Sequence, residues 1–223
     1  ANNCETVISS NLKVDEPFEI KITNYIPVHV TTCYENPEGQ ITLTASGGSG
    51  SLNFSNDGGA TTQISPLFTN LLGGVYDLQI IDDNSCSNDT TVVINRPAKL
   101  VIDDVIIDSV TGCTGDSNGQ LEAIFIGGTG AVQFSLNAID YQGPIFPGLL
   151  AGDYTITAQD TESCTTDTLV TIYEPDPITF TTETATDADC NSTSTGSVSV
   201  VAAGGTLPYT YSISPAVSIP QAN

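Results

Sequence analysis

The chain repeats itself, and that constrains its fold more than any other feature. Residues 73–86, GGVYDLQIIDDNSC, return at 151–164 as AGDYTITAQDTESC. Cys33, Cys113 and Cys190 stand 80 and 77 positions apart and precede GQITLTASGGSGSLNFS, GQLEAIFIGGTGAVQFS and GSVSVVAAGGTLPYTYS. A period of this kind means one folded unit copied in series. The copies run over 18–97, 98–175 and 176–223, the last being a first half only, and 1–17 reads as the closing strand of a preceding copy.

Each copied segment reads as strand, Gly-Gly turn, strand. Ile41, Leu43 and Ala45 share one face of a pleated strand, as do Leu121, Ala123 and Phe125, then Val198, Val200 and Ala202. Phe54, Phe134 and Tyr211 take the same slot after the turn. Downstream, Tyr76, Leu78 and Ile80 match Tyr154, Ile156 and Ala158, with Asp77, Gln79, Thr155 and Thr157 on the opposite face. A leucine, a tight Gly turn and a Tyr at the start of the next strand have the form of a tyrosine corner, which assigns that role to Tyr76 and Tyr154. Abundant Thr, Val and Ile favour strands over helices. The expected fold is all-β: tandem immunoglobulin-like sandwiches of about 80 residues, stapled by disulfides.

A unit this small removes only roughly 60% of its unfolded-chain surface from water, so a covalent staple would help it. Six cysteines without a Cys-x-x-Cys pair, beside a single histidine, point to disulfides in an oxidising compartment and not to zinc. Two pairings are open. Bonds inside a copy, Cys33 with Cys86 and Cys113 with Cys164, would have to span a strand length of roughly 26 Å, against about 7 Å between bridged Cα atoms. The favoured alternative treats each last strand, its Pro turn and the next strand as one hairpin and joins Cys4 to Cys33, Cys86 to Cys113 and Cys164 to Cys190. Each such loop of about 27 residues would stabilise by about 3 kcal/mol in the chain-entropy picture.

Four Lys and Arg against twenty-six Asp and Glu give a formal charge of −22. Such a surface repels phosphate backbones and anionic lipid, so nucleic acid is not an expected partner. There is no apolar run long enough for a spanning helix, and direct membrane insertion is not expected. Methionine is absent, so residue 1 is not expected to be a translation start, and the chain reads as an internal piece of something longer.

Chemistry has little to work with. His29, the only histidine, sits in an alternating segment, and neither a Gly-x-Ser-x-Gly elbow nor a phosphate loop occurs, so no enzyme and no catalytic residue are expected. The acidic turns are the candidate metal ligands: Asp82 and Asp83, Asp103 and Asp104, Asp160 and Glu162, whose oxygens suit calcium. Calcium is the one cofactor considered; otherwise none is expected.

Taken together, Cys, a strand opening Gly-Gln or Gly-Ser, a Gly-Gly turn, an aromatic before Ser, Leu-x-x-Gly-x-Tyr, an Asp turn, Cys and a strand closing in Glu-Pro resemble the SprB repeat. That repeat occurs in very large cell-surface proteins of Bacteroidota, including gliding-motility adhesins exported by the type IX secretion system. Departures are few: the first full copy closes NRP where others read DEP and YEP, and only the third has the full PYTYS. The resemblance implies a secreted, cell-surface chain acting as a stalk or filament segment of an adhesin, for gliding or surface attachment. Its partners would be neighbouring repeats, cell-surface anchor proteins or extracellular polysaccharide. It also implies O-glycosylation at Thr90, Ser109 and Thr168, each directly after an Asp. Two competing readings are a carbohydrate-binding array, for which Tyr25, Tyr34 and Tyr141 are the aromatics to test, and an accessory region of an extracellular enzyme.

Overall fold

The computed structural model describes residues 16–190 and 195–214, and among them every regular element is a strand. The chain divides into two compact units. The first holds the chain up to Lys99 with Gly127–Thr129 and Glu162–Cys164; the second holds Leu100–Ile126, Gly130–Thr161 and the chain from Thr165 onward.

In the first unit, β1 (Lys21–Val28), β2 (Gly39–Ser46) and β4 (Leu67–Leu71) form one antiparallel sheet, ordered β1-β2-β4. A second sheet, ordered β3-β5-β6, is built from β3 (Leu52–Ser55), β5 (Gly74–Asp82) and β6 (Ser87–Ile94). From β2 to β5 the chain thus crosses between the sheets at each step, the arrangement of an immunoglobulin-like sandwich. The alternation in β2 and β5 puts Ile41, Leu43, Leu78 and Ile80 inward, where they are buried with Phe54, Phe68, Val92 and Ile94.

The second unit repeats the plan. Sheet β7-β8-β11 comprises β7 (Val101–Asp108), β8 (Gly119–Ile126) and β11 (Ile145–Leu149). Its partner, β10-β9-β12-β13, comprises β9 (Gln133–Leu136), β10 (Ile139–Gln142), β12 (Gly152–Gln159) and β13 (Thr165–Ile172). The added strand β10 follows a two-residue turn whose Asn137 and Ala138 both have positive φ, 51° and 60°, the backbone that suits the twist of a tight hairpin. In the first unit the counterpart of β10 is reduced to a single antiparallel bridge, Gln63 to Phe54. There the Asp57 carboxylate accepts the Ser55 and Thr61 hydroxyls at 2.7 and 2.6 Å and the Thr61 amide at 2.9 Å, which closes the loop on itself.

The hydroxyl of Tyr76 donates to the Leu72 carbonyl at 2.8 Å and that of Tyr154 to the Leu150 carbonyl at 3.0 Å. Each bond closes the turn that leads into β5 or β12. Gly47 and Gly127 have φ of 80° and 73°, and a Cβ on either would strike a backbone carbonyl, that of Glu19 or Lys99. The Gly-Gly turn is therefore needed for close approach as well as for its left-handed backbone.

Two inward assignments differ from the alternation. Phe125 is 39% exposed, because β11 pairs with β8 only from Gly119 to Glu122 and leaves the end of β8 uncovered; its ring meets Phe134 edge-on at 5.4 Å. Val198 is 61% exposed on the final hairpin of β14 (Thr179–Thr186) and β15 (Ser197–Ala203), which forms a two-stranded sheet of its own among the described residues.

Four outcomes follow from this packing. Ile156→Ala, at a fully buried position, should lower the unfolding free energy by about 2–5 kcal/mol and Tyr76→Phe by about 1 kcal/mol, read by chemical denaturation. Gly47→Ala should destabilise by at least about 1–2 kcal/mol from backbone conformation alone. Asp57, held down to about 2 by the Thr61 hydroxyl first, then the Thr61 amide and the Ser55 hydroxyl, should show that value in a carboxyl NMR titration. Since its folded value is depressed, what it adds to stability is present above about 3.8 and is lost as pH falls through about 2.

Candidate functional site: the cysteine-bearing turns

The turn after β1 is tied down on several sides. The Val30 amide donates to the Asn95 carbonyl at 3.0 Å, and the Asn95 amide donates to His29 Nδ1 at 3.1 Å, so the single histidine serves as a backbone acceptor. Glu38 accepts from the Thr31 amide at 3.5 Å and also from the Thr32 hydroxyl and the Asn36 side chain. Those donors, the Thr32 hydroxyl foremost, hold the Glu38 carboxyl below its usual range. In the second unit Asn118 takes the place of Glu38, accepting from the Thr111 amide at 3.0 Å and donating to the Thr111 carbonyl at 2.7 Å. Asn36 N–H donates to the Cys33 carbonyl at 3.0 Å and Asp116 N–H to the Cys113 carbonyl at 3.1 Å, so the two cysteines sit on equivalent turns.

The residues just after each cysteine reach the Pro-containing end of the same copy's last strand. Arg96 stacks over the Tyr34 ring with 3.7 Å to its centroid, and Lys99 pairs with Glu35 at 2.7 Å. That pair lowers the Glu35 carboxyl and raises the Lys99 ammonium. In the second unit the Thr114 hydroxyl donates to the Pro175 carbonyl and the Gly115 amide to Glu174, both at 2.7 Å. This explains the departure of NRP from YEP. An arginine stands where the loop offers an aromatic ring and a carboxylate, and a glutamate where it offers a bare amide.

Cys33 is bonded to Cys164, with Cα atoms 5.6 Å apart, and both cysteines fall within the first compact unit. The expected pairing of Cys4 with Cys33, Cys86 with Cys113 and Cys164 with Cys190 is therefore corrected. It required β6 and β7, and likewise β13 and β14, to form hairpins across Pro97 and Pro175. Instead β6 pairs with β5, β7 with β8, β13 with β12 and β14 with β15. Cys86 and Cys113 are exposed thiols. Cys4 lies outside the described residues.

The acidic turns serve the backbone. Asp82 is buried and accepts the amides of Ser49, Asn84 and Cys86, each at 2.9 Å, while Asp83 accepts that of Ser51 at 2.9 Å. Asp160 is buried in the equivalent turn, and Glu162, beside Cys164, is exposed. Asp103 and Asp104 are exposed on β7, where Asp104 accepts the Val105 amide at 2.8 Å. Among the described residues no group of three or more His, Cys, Asp or Glu side chains is placed to hold a metal ion. Thr90 and Thr168 stand half-buried on the core-facing side of β6 and β13, in line with Val92 and Val170; Ser109 is exposed. Of the three aromatics singled out, Tyr34 is covered by Arg96, whereas Tyr25 and Tyr141 are 42% and 44% exposed and lie in different units.

No curated protein matches the chain in sequence. In structure it is similar to the C-terminal 282-residue fragment of intimin solved with the intimin-binding domain of the translocated intimin receptor, at 13% identity over 72% of this chain and 67% of that one, TM-score 0.34. It is also similar to immunoglobulin domains 1–5 of Sidekick-1, at 12% identity over 79% of this chain and 43% of that one, TM-score 0.34. A third likeness is to fibronectin(III)-like modules of CbhA from Clostridium thermocellum, at 15% identity over 69% of this chain and 93% of that one, TM-score 0.27. Among the described residues no helix is long and apolar enough to cross a membrane. A cystine belongs to an oxidising environment, and with the repeat it marks an extracellular, repeat-built surface protein. Residues 182–218, which hold the Gly-Gly turn common to all three copies, match the SprB repeat.

Proposed function

We propose that this chain is a passive, covalently braced stalk segment of a large cell-surface adhesin, holding an adhesive part away from the cell for surface attachment or gliding. The observation that carries the reading is the Cys33–Cys164 bond, which joins a cysteine of the first motif copy to one of the second. A load applied along the chain passes through that bond, so residues 34–163 are out of the force path. At about 3.4 Å per extended residue, a separation of 131 residues keeps roughly 440 Å of chain from being drawn out. A stalk that lengthened by that amount under drag would lose its hold on position.

The charge supports the same reading. A formal charge of −22 makes neighbouring stalks repel and keeps them separate. Neighbouring repeats of the same polypeptide are the proposed partners, with cell-surface anchor proteins or extracellular polysaccharide at the ends. Glycans on Ser109, the exposed member of the three Asp-Ser/Thr sites, would add to that separation. The proposed brace is covalent, and in the first acidic turn the Asp82 and Asp83 carboxylates accept backbone amides. No chemical step is proposed.

Single-molecule pulling from the two ends should give a final contour length shorter by roughly 440 Å before reduction than after it; equal lengths would remove the brace. The melting temperature should be the same in millimolar calcium and in chelator, and a rise with calcium would mean that the acidic turns act as ligands. In the cell that makes the protein, excising this segment while keeping the rest should reduce surface attachment. Unchanged attachment, or specific binding of the isolated chain on a glycan array, would replace the stalk reading.

A further inference from the structure

Cys113 presents its thiol on a turn that matches the turn of the bonded Cys33, down to the amide donated to its carbonyl three residues on. The other class of cysteine is duplicated in the same way. Cys164, bonded, and Cys86, an exposed thiol, both end an Asp-x-x-Ser-Cys turn in which the serine is left-handed, Ser163 and Ser85 each at φ 65°.

A third observation gives the direction. The Thr129 hydroxyl, on the Gly-Gly-Thr turn of the second copy, donates to the Thr32 carbonyl at 3.3 Å, directly before Cys33. The Thr206 hydroxyl, on the Gly-Gly-Thr turn of the third copy, donates to the Gly112 carbonyl at 3.4 Å, directly before Cys113. The hydrogen bond that accompanies the cystine at Cys33 is thus already made beside Cys113.

We propose that Cys113 and Cys86 are the two open halves of the bond seen between Cys33 and Cys164, and that one such cystine is laid down per copy along the array. Cys113 takes the cysteine of an Asp-x-x-Ser-Cys turn completing the third copy. Cys86 is taken by the first-turn cysteine of a copy preceding the first. On this proposal neither partner is one of the six cysteines of these 223 residues. The oxidant is of the protein-disulfide class. The Cys113 thiolate attacks its disulfide to give a mixed disulfide and releases one oxidant thiol. The incoming thiolate then attacks the Cys113 sulfur and expels the second. Two thiols become one cystine, and their two protons and two electrons leave on the reduced dithiol.

The inference rests on the stalk reading, and peptide mapping separates the two. The protein is taken from its own cells, its free thiols are capped with N-ethylmaleimide, and it is digested without reduction. The expected result is Cys33 linked to Cys164, with Cys86 and Cys113 uncapped and each linked to a cysteine peptide from outside these 223 residues. Capped Cys86 and Cys113 beside an intact Cys33–Cys164 link would overturn the ladder and leave the single brace standing. A Cys86–Cys113 link also overturns it, and loss of the Cys33–Cys164 link removes ladder and brace together.

Discussion

The inward row of strand β5, and of its counterpart β12, is the constraint on which the rest of each sandwich depends. Leu78 and Ile80 in one, Ile156 and Ala158 in the other, are fully buried and face the opposite sheet. The same strand begins with the tyrosine whose hydroxyl closes the preceding turn. In the first unit it ends with Asp82, whose carboxylate gathers the amides that shape the cysteine turn. Core, corner and cysteine are therefore placed by one strand, and a shift of register by one residue would send all three to the wrong side.

Such a core is small. Among the described residues, ten form the buried cluster of the first unit and nine that of the second, and a domain of about 80 residues leaves much of its surface in water. Ionic contacts add little: the pairs Lys21–Glu19 and Lys99–Glu35 are exposed, and such pairs contribute about 0–1 kcal/mol. With only four Lys and Arg in the chain, no wider network of ion pairs is open to it. A covalent bond that constrains the unfolded chain does not depend on charge or on core size, which is why it suits an acidic array of small units.

Much of this was legible in the sequence because it is local. Alternation fixed the inward faces of β2, β5 and β12, and the Leu-x-x-Gly-x-Tyr spacing located the corner bonds. The cystine was not legible. Its reading turned on whether the strand before Pro97 and the strand after it share a sheet, and hydrogen bonding to β5 on one side and β8 on the other decides that, not the residues flanking the proline. Phe125 was misplaced for a similar reason, since its cover depends on where β11 stops. The pairing of Arg96 with Tyr34 and of Glu174 with Gly115 was also missed. Its signal was present: the two copies differ at both ends of the contact, and a comparison of those four positions would have found it.

The left-handed serine bears on how the bond forms. Ser85, beside a thiol, and Ser163, beside a cystine, have the same φ of 65°, so the bond does not impose the turn. A left-handed backbone costs a serine about 1–2 kcal/mol, and around Ser85 two amides donated to Asp82 at 2.9 Å offset it. The turn is thus set by its own residues before oxidation. A cysteine presented this way gives up little further conformational freedom on bonding, and the entropy that a flexible loop would lose at that step has already been lost in folding.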